Sequence, residues 1–182
     1  MRIIAGEFKN RKISFPKSKL VRPTTERNKE SIFSYLENKL DFSEKIVLDL
    51  YAGSGSLGLE ALSRGAEEVH FVENNYTVYK NLLNTISLLN VSERTKTFKM
   101  TCKKFSDICE ESKYHLILAD PPFFRYDIYQ VVNNLINNSI LKQNGILIIE
   151  RSIQTEKEDK LYFKQDPIKK LGDSLIYEYI FS

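Results

Sequence analysis

Tryptophan is absent from this sequence, cysteine occurs only twice, and no apolar run is long. Two cysteines, Cys102 and Cys109, make no disulfide framework, and neither a C-x-x-C pair nor a histidine cluster suggests zinc or another metal. The longest apolar runs, such as Ile146 to Ile149, are far too short to cross a bilayer. Met1-Arg2-Ile3-Ile4-Ala5-Gly6 has no signal-peptide core, so a cytoplasmic protein without a membrane partner is expected. Disorder is disfavoured in turn, because 42% of the residues are hydrophobic. A chain of 182 residues suits one domain with a small appendage.

Net charge is also nearly lacking, at +3, but the sum hides an asymmetry. Residues 1–30 hold nine basic side chains against the acids Glu7, Glu26 and Glu30, a balance of +6 that leaves −3 for the rest. A basic segment on a mildly acidic body suggests an arm for a polyanion such as nucleic acid, although a solvated lysine-rich surface has the same composition.

Residues 2–6 and 11–15 read as two short strands of a hairpin, and Pro16 closes the second. Thr24 or Thr25 can cap a following helix whose Ile32, Phe33, Leu36 and Leu40 share a face. Thereafter strands and helices alternate. Strands are expected at Ile46–Leu50, Val69–Val72, Thr95–Lys99, Leu116–Ala119 and Gly145–Glu150, with helices from about Ser56, Tyr76, Lys103 and Asp127. Leu161–Phe163 and Ser174–Phe181 read as two further strands, a closing hairpin. Such alternation means an α/β fold, a mostly parallel seven-stranded sheet with helices on both faces. Two domains follow: residues 1–42, a basic hairpin-and-helix extension, and residues 43–182.

The first of the alternating strands runs into Asp49-Leu50-Tyr51-Ala52-Gly53-Ser54-Gly55-Ser56-Leu57-Gly58 and then a helix. Gly53, Gly55 and Gly58 spell G-x-G-x-x-G, whose glycines turn the backbone tightly and let a ligand meet helix N–H groups. Glu73 ends the second strand, where an acid can hold ribose hydroxyls. NAD is the first ligand such a loop suggests. Asp49 argues against it, since a carboxylate there repels pyrophosphate and welcomes a cation. S-adenosylmethionine carries an ammonium and a sulfonium and suits the loop better.

The fourth strand delivers Asp120-Pro121-Pro122-Phe123, which the topology lands beside the glycine loop. Two prolines make a rigid turn whose carbonyls have no N–H of their own to pair with. A carboxylate and a fixed carbonyl can accept both hydrogens of an exocyclic amine, while Phe123 offers a face for base stacking, worth ~1–3 kcal/mol. That is what methylation of a base amine needs: a delocalised lone pair helped to pyramidalise and aimed at a sulfonium methyl. The released proton can pass to Asp120 or to water.

With these motifs, Met1-Arg2-Ile3-Ile4-Ala5-Gly6, Arg11-Lys12 and Arg22-Pro23-Thr24-Thr25-Glu26-Arg27 complete a pattern that resembles the RsmD-type 16S ribosomal RNA guanine-N2 methyltransferases along essentially the whole chain. The resemblance implies a Rossmann-like class I methyltransferase fold with S-adenosylmethionine as cofactor. It implies methylation of N2 of one guanine, position 966, in 16S ribosomal RNA, within the small subunit or its assembly intermediate. Cofactor contacts then fall to Asp49, Tyr51, Ala52, Gly53, Ser54 and Gly55, with Glu73, Thr101 and Thr24. Catalysis falls to Asp120, Pro121, Pro122 and Phe123, and RNA contact to Arg2, Arg11, Lys12, Arg22 and Arg27. Two departures stand out. The acid usual after the third strand is missing, with Met100, Thr101 or Cys102 there instead. Lys29 replaces an arginine, giving up a planar fork for phosphate.

His70 and His115 are expected to be structural, and the cysteines reduced thiols. An adenine-N6 or protein glutamine-N5 methyltransferase uses a related tetrapeptide, and an NAD-dependent oxidoreductase a related glycine loop. Nothing in the sequence requires more than a monomer.

Overall fold

The structure, a computed structural model, describes residues 1–14, 26–109, 113–122 and 126–181. Helix α1 (Glu26–Glu37) leads into β1 (Ile46–Leu50), α2 (Ser56–Ser63), β2 (Glu68–Val72), α3 (Tyr76–Leu89), β3 (Thr95–Phe98) and α4 (Cys102–Ile108). The second half runs β4 (Tyr114–Ala119), α5 (Asp127–Asn137), β5 (Leu141–Ser152), α6 (Glu156–Phe163), β6 (Lys169–Leu171) and β7 (Ser174–Ile180). One sheet takes the order β3-β2-β1-β4-β5-β7-β6. The first five strands pair in parallel, whereas β7 is antiparallel to both β5 and β6. This is the class I S-adenosylmethionine methyltransferase fold expected from the sequence.

Strand alternation sorts the core into two layers. Val47, Leu118 and Ile148 face the cluster that includes Phe33 and Leu36 of α1 and Leu59 of α2. Leu48, Leu50, Ala119 and Ile149 face the one built on α4, α5 and α6. Local chemistry starts α3: Asn75 accepts hydrogen bonds from Thr77 N and Val78 N, satisfying two of the helix's orphan donors. Strand order reverses between β1 and β4, so a crevice opens at their carboxyl ends. Among the described residues, no helix is long and apolar enough to cross a membrane.

The N-terminal pairing is narrower than two strands. Arg2 and Lys12 form a single antiparallel bridge, supported by Ile3 N to Arg11 O at 3.0 Å and Ile13 N to Met1 O at 3.0 Å. The segment is held mainly by α2. Glu60, fully buried, accepts from Ile4 N at 2.8 Å and Ala5 N at 3.0 Å, and pairs with Lys29 Nζ at 3.0 Å and Arg64 Nε at 3.0 Å. Ser63 Oγ donates to Ala5 O at 2.5 Å and accepts from Phe8 N at 2.9 Å. A Cβ on Gly6 would lie 1.7 Å from Ser63 O, so only glycine lets the chain cross α2 this closely.

One expected strand is a helix. Leu161–Phe163 forms the last turn of α6, and the closing hairpin is β6 with β7 instead. Asp159 explains the difference. It is buried, and it accepts from Arg151 Nε at 2.9 Å, Tyr129 Oη at 2.7 Å and Thr155 Oγ1 at 2.6 Å. Four residues on, one helical turn away, Phe163 packs edge-on against Tyr177 at 5.0 Å.

Candidate active site

The glycine loop bends over the carboxyl end of β1. Gly55 N donates to Ala52 O at 2.7 Å, and Ala52 N to Val72 O at 3.0 Å. The three glycines have different tasks. A Cβ on Gly55 would lie 2.5 Å from Leu82 Cδ1, and one on Gly58 would lie 2.3 Å from Phe71 Cε1, whereas at Gly53 the nearest atom is 3.8 Å away. Gly55 and Gly58 therefore serve packing, and Gly53 leaves room for a ligand to approach. Gly58→Ala is expected to cost about 1–3 kcal/mol through overpacking. Thermal denaturation checks it, and an unchanged Tm would refute the contact.

Asp49, 2% exposed, accepts from Gly58 N at 2.8 Å. Gly55, the residue before α2, has no side chain for capping, so Asp49 satisfies an orphan donor of that helix from the strand below. Burial, together with repulsion from Asp120 and Glu73, pushes its pKa well above the usual carboxylate range, against the pull of the Gly58 N–H. Glu73 accepts from Gly53 N at 3.0 Å and Asn75 N at 2.6 Å, which leaves lone pairs for ribose hydroxyls. Three acids at the ends of β1, β2 and β4 thus share one field, and that field fits a cation.

A raised pKa has a definite sign. The folded chain holds the Asp49 proton more tightly than the unfolded chain, so this group's contribution to stability declines as pH rises past the ordinary carboxylate range. A cation bound beside Asp49 would favour the ionised form, so its affinity should rise with pH, with proton release on binding. Calorimetric titration over a pH series checks this. Affinity for S-adenosylmethionine that is flat with pH in the wild type, or equally steep in Asp49→Asn, would show that no cation binds against Asp49.

Tyr51 stands half-buried beside the loop with φ of 57°, its N–H donating to Cys102 Sγ at 3.1 Å. That bond links β1 to the start of α4 and was not legible in the sequence. Burial keeps the Cys102 thiol protonated, so it is a fastener rather than a nucleophile. Thr101 caps α4, accepting from Lys104 N at 3.1 Å, and stays exposed. Ser54 and Ser56 are buried in the loop, and Ser56 Oγ finds no hydrogen-bond partner among the described residues.

Across the crevice, Asp120 follows β4, with Pro121 buried and Pro122 exposed. The register Leu50 to Ala119 brings this turn next to the glycine loop. Phe123, Thr24 and Arg22 lie outside the described residues. Arg2, Arg11, Lys12 and Arg27 are all exposed. Arg2 Nε meets Glu26 Oε2 at 3.1 Å, and Arg11 Nη2 donates to Leu88 O at 3.0 Å. Lys29 corrects the phosphate expectation: it is 0% exposed and donates to Arg2 O at 2.8 Å besides its pairing with Glu60. Both histidines are structural, His70 meeting Tyr114 Oη at 2.8 Å and His115 Nδ1 accepting from Ile46 N at 3.0 Å.

A family defined only as "Conserved hypothetical protein 95" matches residues 1–180. The chain belongs to this family. Relatives of this family protein include ribosomal RNA small subunit methyltransferase D of Haemophilus influenzae, 36% identical over 163 residues, covering 88% of this chain and 81% of the relative. The protein of the same name from Escherichia coli K12 is 30% identical over 85% of this chain and 76% of its own. The solved structure of yhhF from Escherichia coli superposes with a TM-score of 0.83 at 26% identity, covering 100% of this chain and 97% of that one. The family protein is accordingly a methyltransferase resembling methyltransferase D.

Proposed function

We propose that this protein transfers a methyl group from S-adenosylmethionine to the exocyclic N2 of one guanine in 16S ribosomal RNA, within the small subunit or its assembly intermediate. One observation carries the reading: Asp120 and Pro121 stand at the end of β4, beside the acid-lined glycine loop of β1, at the switch point of the sheet. Relatives named for small-subunit ribosomal RNA support the substrate. Asp49, the Gly53–Gly55 backbone, Tyr51, Ala52, Ser54, Glu73, Thr101 and Thr24 would hold the cofactor. When bound, S-adenosylmethionine supplies an activated methyl on a sulfonium. Asp120 and the Pro121 carbonyl accept the N2 hydrogens and turn the nitrogen lone pair toward that methyl, and Phe123 stacks on the base. No strong base is needed before attack, because the lone pair itself is the nucleophile.

Residues 1–42 serve as the RNA-holding extension of a catalytic body, residues 43–182. Arg2, Arg11, Lys12, Arg22 and Arg27 provide the cationic surface for phosphate. The test is labelled methyl transfer to small subunits isolated without the modification, followed by base analysis. N2-methylguanine is the expected product, and label on adenine or protein would reject the substrate. Transfer should weaken steeply with salt while cofactor binding changes little. Equal salt sensitivity of the two would remove the basic segment from RNA contact.

A further inference from the structure

A fourth carboxylate stands at the carboxyl edge, unused by the chemistry described so far. Glu150 lies near the end of β5, is 4% exposed, and has one oxygen engaged: Oε1 accepts from Asn28 Nδ2 of α1 at 3.1 Å. Asn28 also donates to Ser174 Oγ of β7 at 3.1 Å, so its amide is anchored on both sides. Oε2 is buried and has no hydrogen-bond partner among the described residues. A buried acceptor without a donor is rare in folded proteins, and where one persists it asks for a partner the chain does not supply.

Its place in the sheet identifies that partner. Ala119 of β4 is paired with Ile149 of β5, and the same register carried one residue further sets Glu150 beside Asp120. Alternation puts both on the sheet face that carries Leu118, Ile148 and Val47, which is also the face of Asp49. Asp120 and Glu150, with Pro121 next in the chain, therefore sit at one end of the crevice. Guanine presents a matching row of donors, the two N2 hydrogens and the adjacent N1–H. Adenine and 2-aminopurine both have a lone pair at N1, which a carboxylate repels.

We propose that Glu150 selects guanine, its free oxygen accepting the N1–H while Asp120 and Pro121 hold the N2 amine. The inference rests on the proposed guanine-N2 activity and adds the residue that reads the base. Glu150 acts there as a positioning and specificity group and takes no part in bond making. Asn28 holds the other oxygen, so the free one is presented in a single orientation, in surroundings where each unmade bond counts.

The test uses the full chain and small subunits assembled with either guanine or 2-aminopurine at the target nucleotide. 2-Aminopurine keeps the reacting amine and lacks only O6 and the N1–H. The wild type should prefer guanine by at least about a hundredfold in kcat/KM, as sites built around a hydrogen bond do. Glu150→Gln keeps an acceptor for Asn28 and can turn an N–H toward N1, so its preference should shrink to within about tenfold. Cofactor affinity, measured by calorimetry, should be unchanged. Equal use of both bases by the wild type would overturn the proposal while leaving the guanine-N2 reading intact. So would a Glu150→Gln protein of lower Tm that keeps the full preference, because Glu150 would then only fasten α1 to the sheet. A wild type that methylates neither base overturns the guanine-N2 reading itself.

Discussion

Asp120→Ala should lower methyl transfer by about 10²–10³-fold while cofactor binding stays intact, the loss typical of one preorganised polar group at a reacting atom. The carboxylate stands at the end of β4, where Leu50–Ala119 pairing brings it beside the glycine loop. In the proposed reaction it holds the amine, so the effect should fall on kcat rather than on cofactor affinity. A second consequence separates this role from general damage. Asp120 repels the Asp49 carboxylate and helps to raise its pKa. Without Asp120, Asp49 ionises at lower pH, and the rise of cofactor affinity should move to lower pH as well. Single-turnover kinetics and calorimetry read the two effects separately. Unchanged transfer by the variant would take Asp120 out of the mechanism.

Lys29→Met should destabilise the protein by about 3–5 kcal/mol, the cost of removing one partner from a buried ion pair, since Arg64 meets Glu60 at Oε1 and Oε2 loses its cation. At about 2–4 °C per kcal/mol for a domain of this size, Tm falls by roughly 10 °C. Lys29 and Glu60 are both 0% exposed and 3.0 Å apart, and Lys29 also bonds Arg2 O. Burial pulls the ammonium below its usual pKa, against the attraction of Glu60, as expected of a charge kept inside by its partner. The lysine thus ties α1, the first residues and α2 into one packed unit. Differential scanning calorimetry checks the figure. A Tm within about 1 °C of wild type, with RNA affinity reduced instead, would return Lys29 to phosphate contact.

The sheet was legible because its signal is local. Ile46–Leu50 and Ile146–Ile149 are apolar on both faces, as central parallel strands must be, and each motif directly follows a strand whose identity that pattern reveals. Leu161–Phe163 misled for the same reason. Three apolar or aromatic residues in a row fit a strand, and nothing nearby shows that Asp159 will be buried by Arg151, Tyr129 and Thr155. Glu60 likewise reads as one more residue of the helix after the glycine loop until Ile4, Ala5, Lys29 and Arg64 converge on it. Of the candidate site, the glycines, Asp49, Glu73 and Asp120 were visible as types at fixed spacings. Cys102 as a partner of Tyr51, and Glu150 beside Asp120, were not.

The near absence of cysteine, of long apolar runs and of net charge already excluded a disulfide scaffold and a membrane-spanning helix, and periodicity with two motifs determined the architecture and the class of chemistry. Tertiary structure alone decided which charges face water and which are spent inside. Of the basic residues near the start, Arg27 is exposed while Lys29 is sealed against Glu60. Period and propensity are set by neighbours in the chain, but the partner of a buried charge is set by what packing brings within about 3 Å of it. Asn28 and Glu150 meet across a separation of 122 residues, and no local pattern encodes that contact.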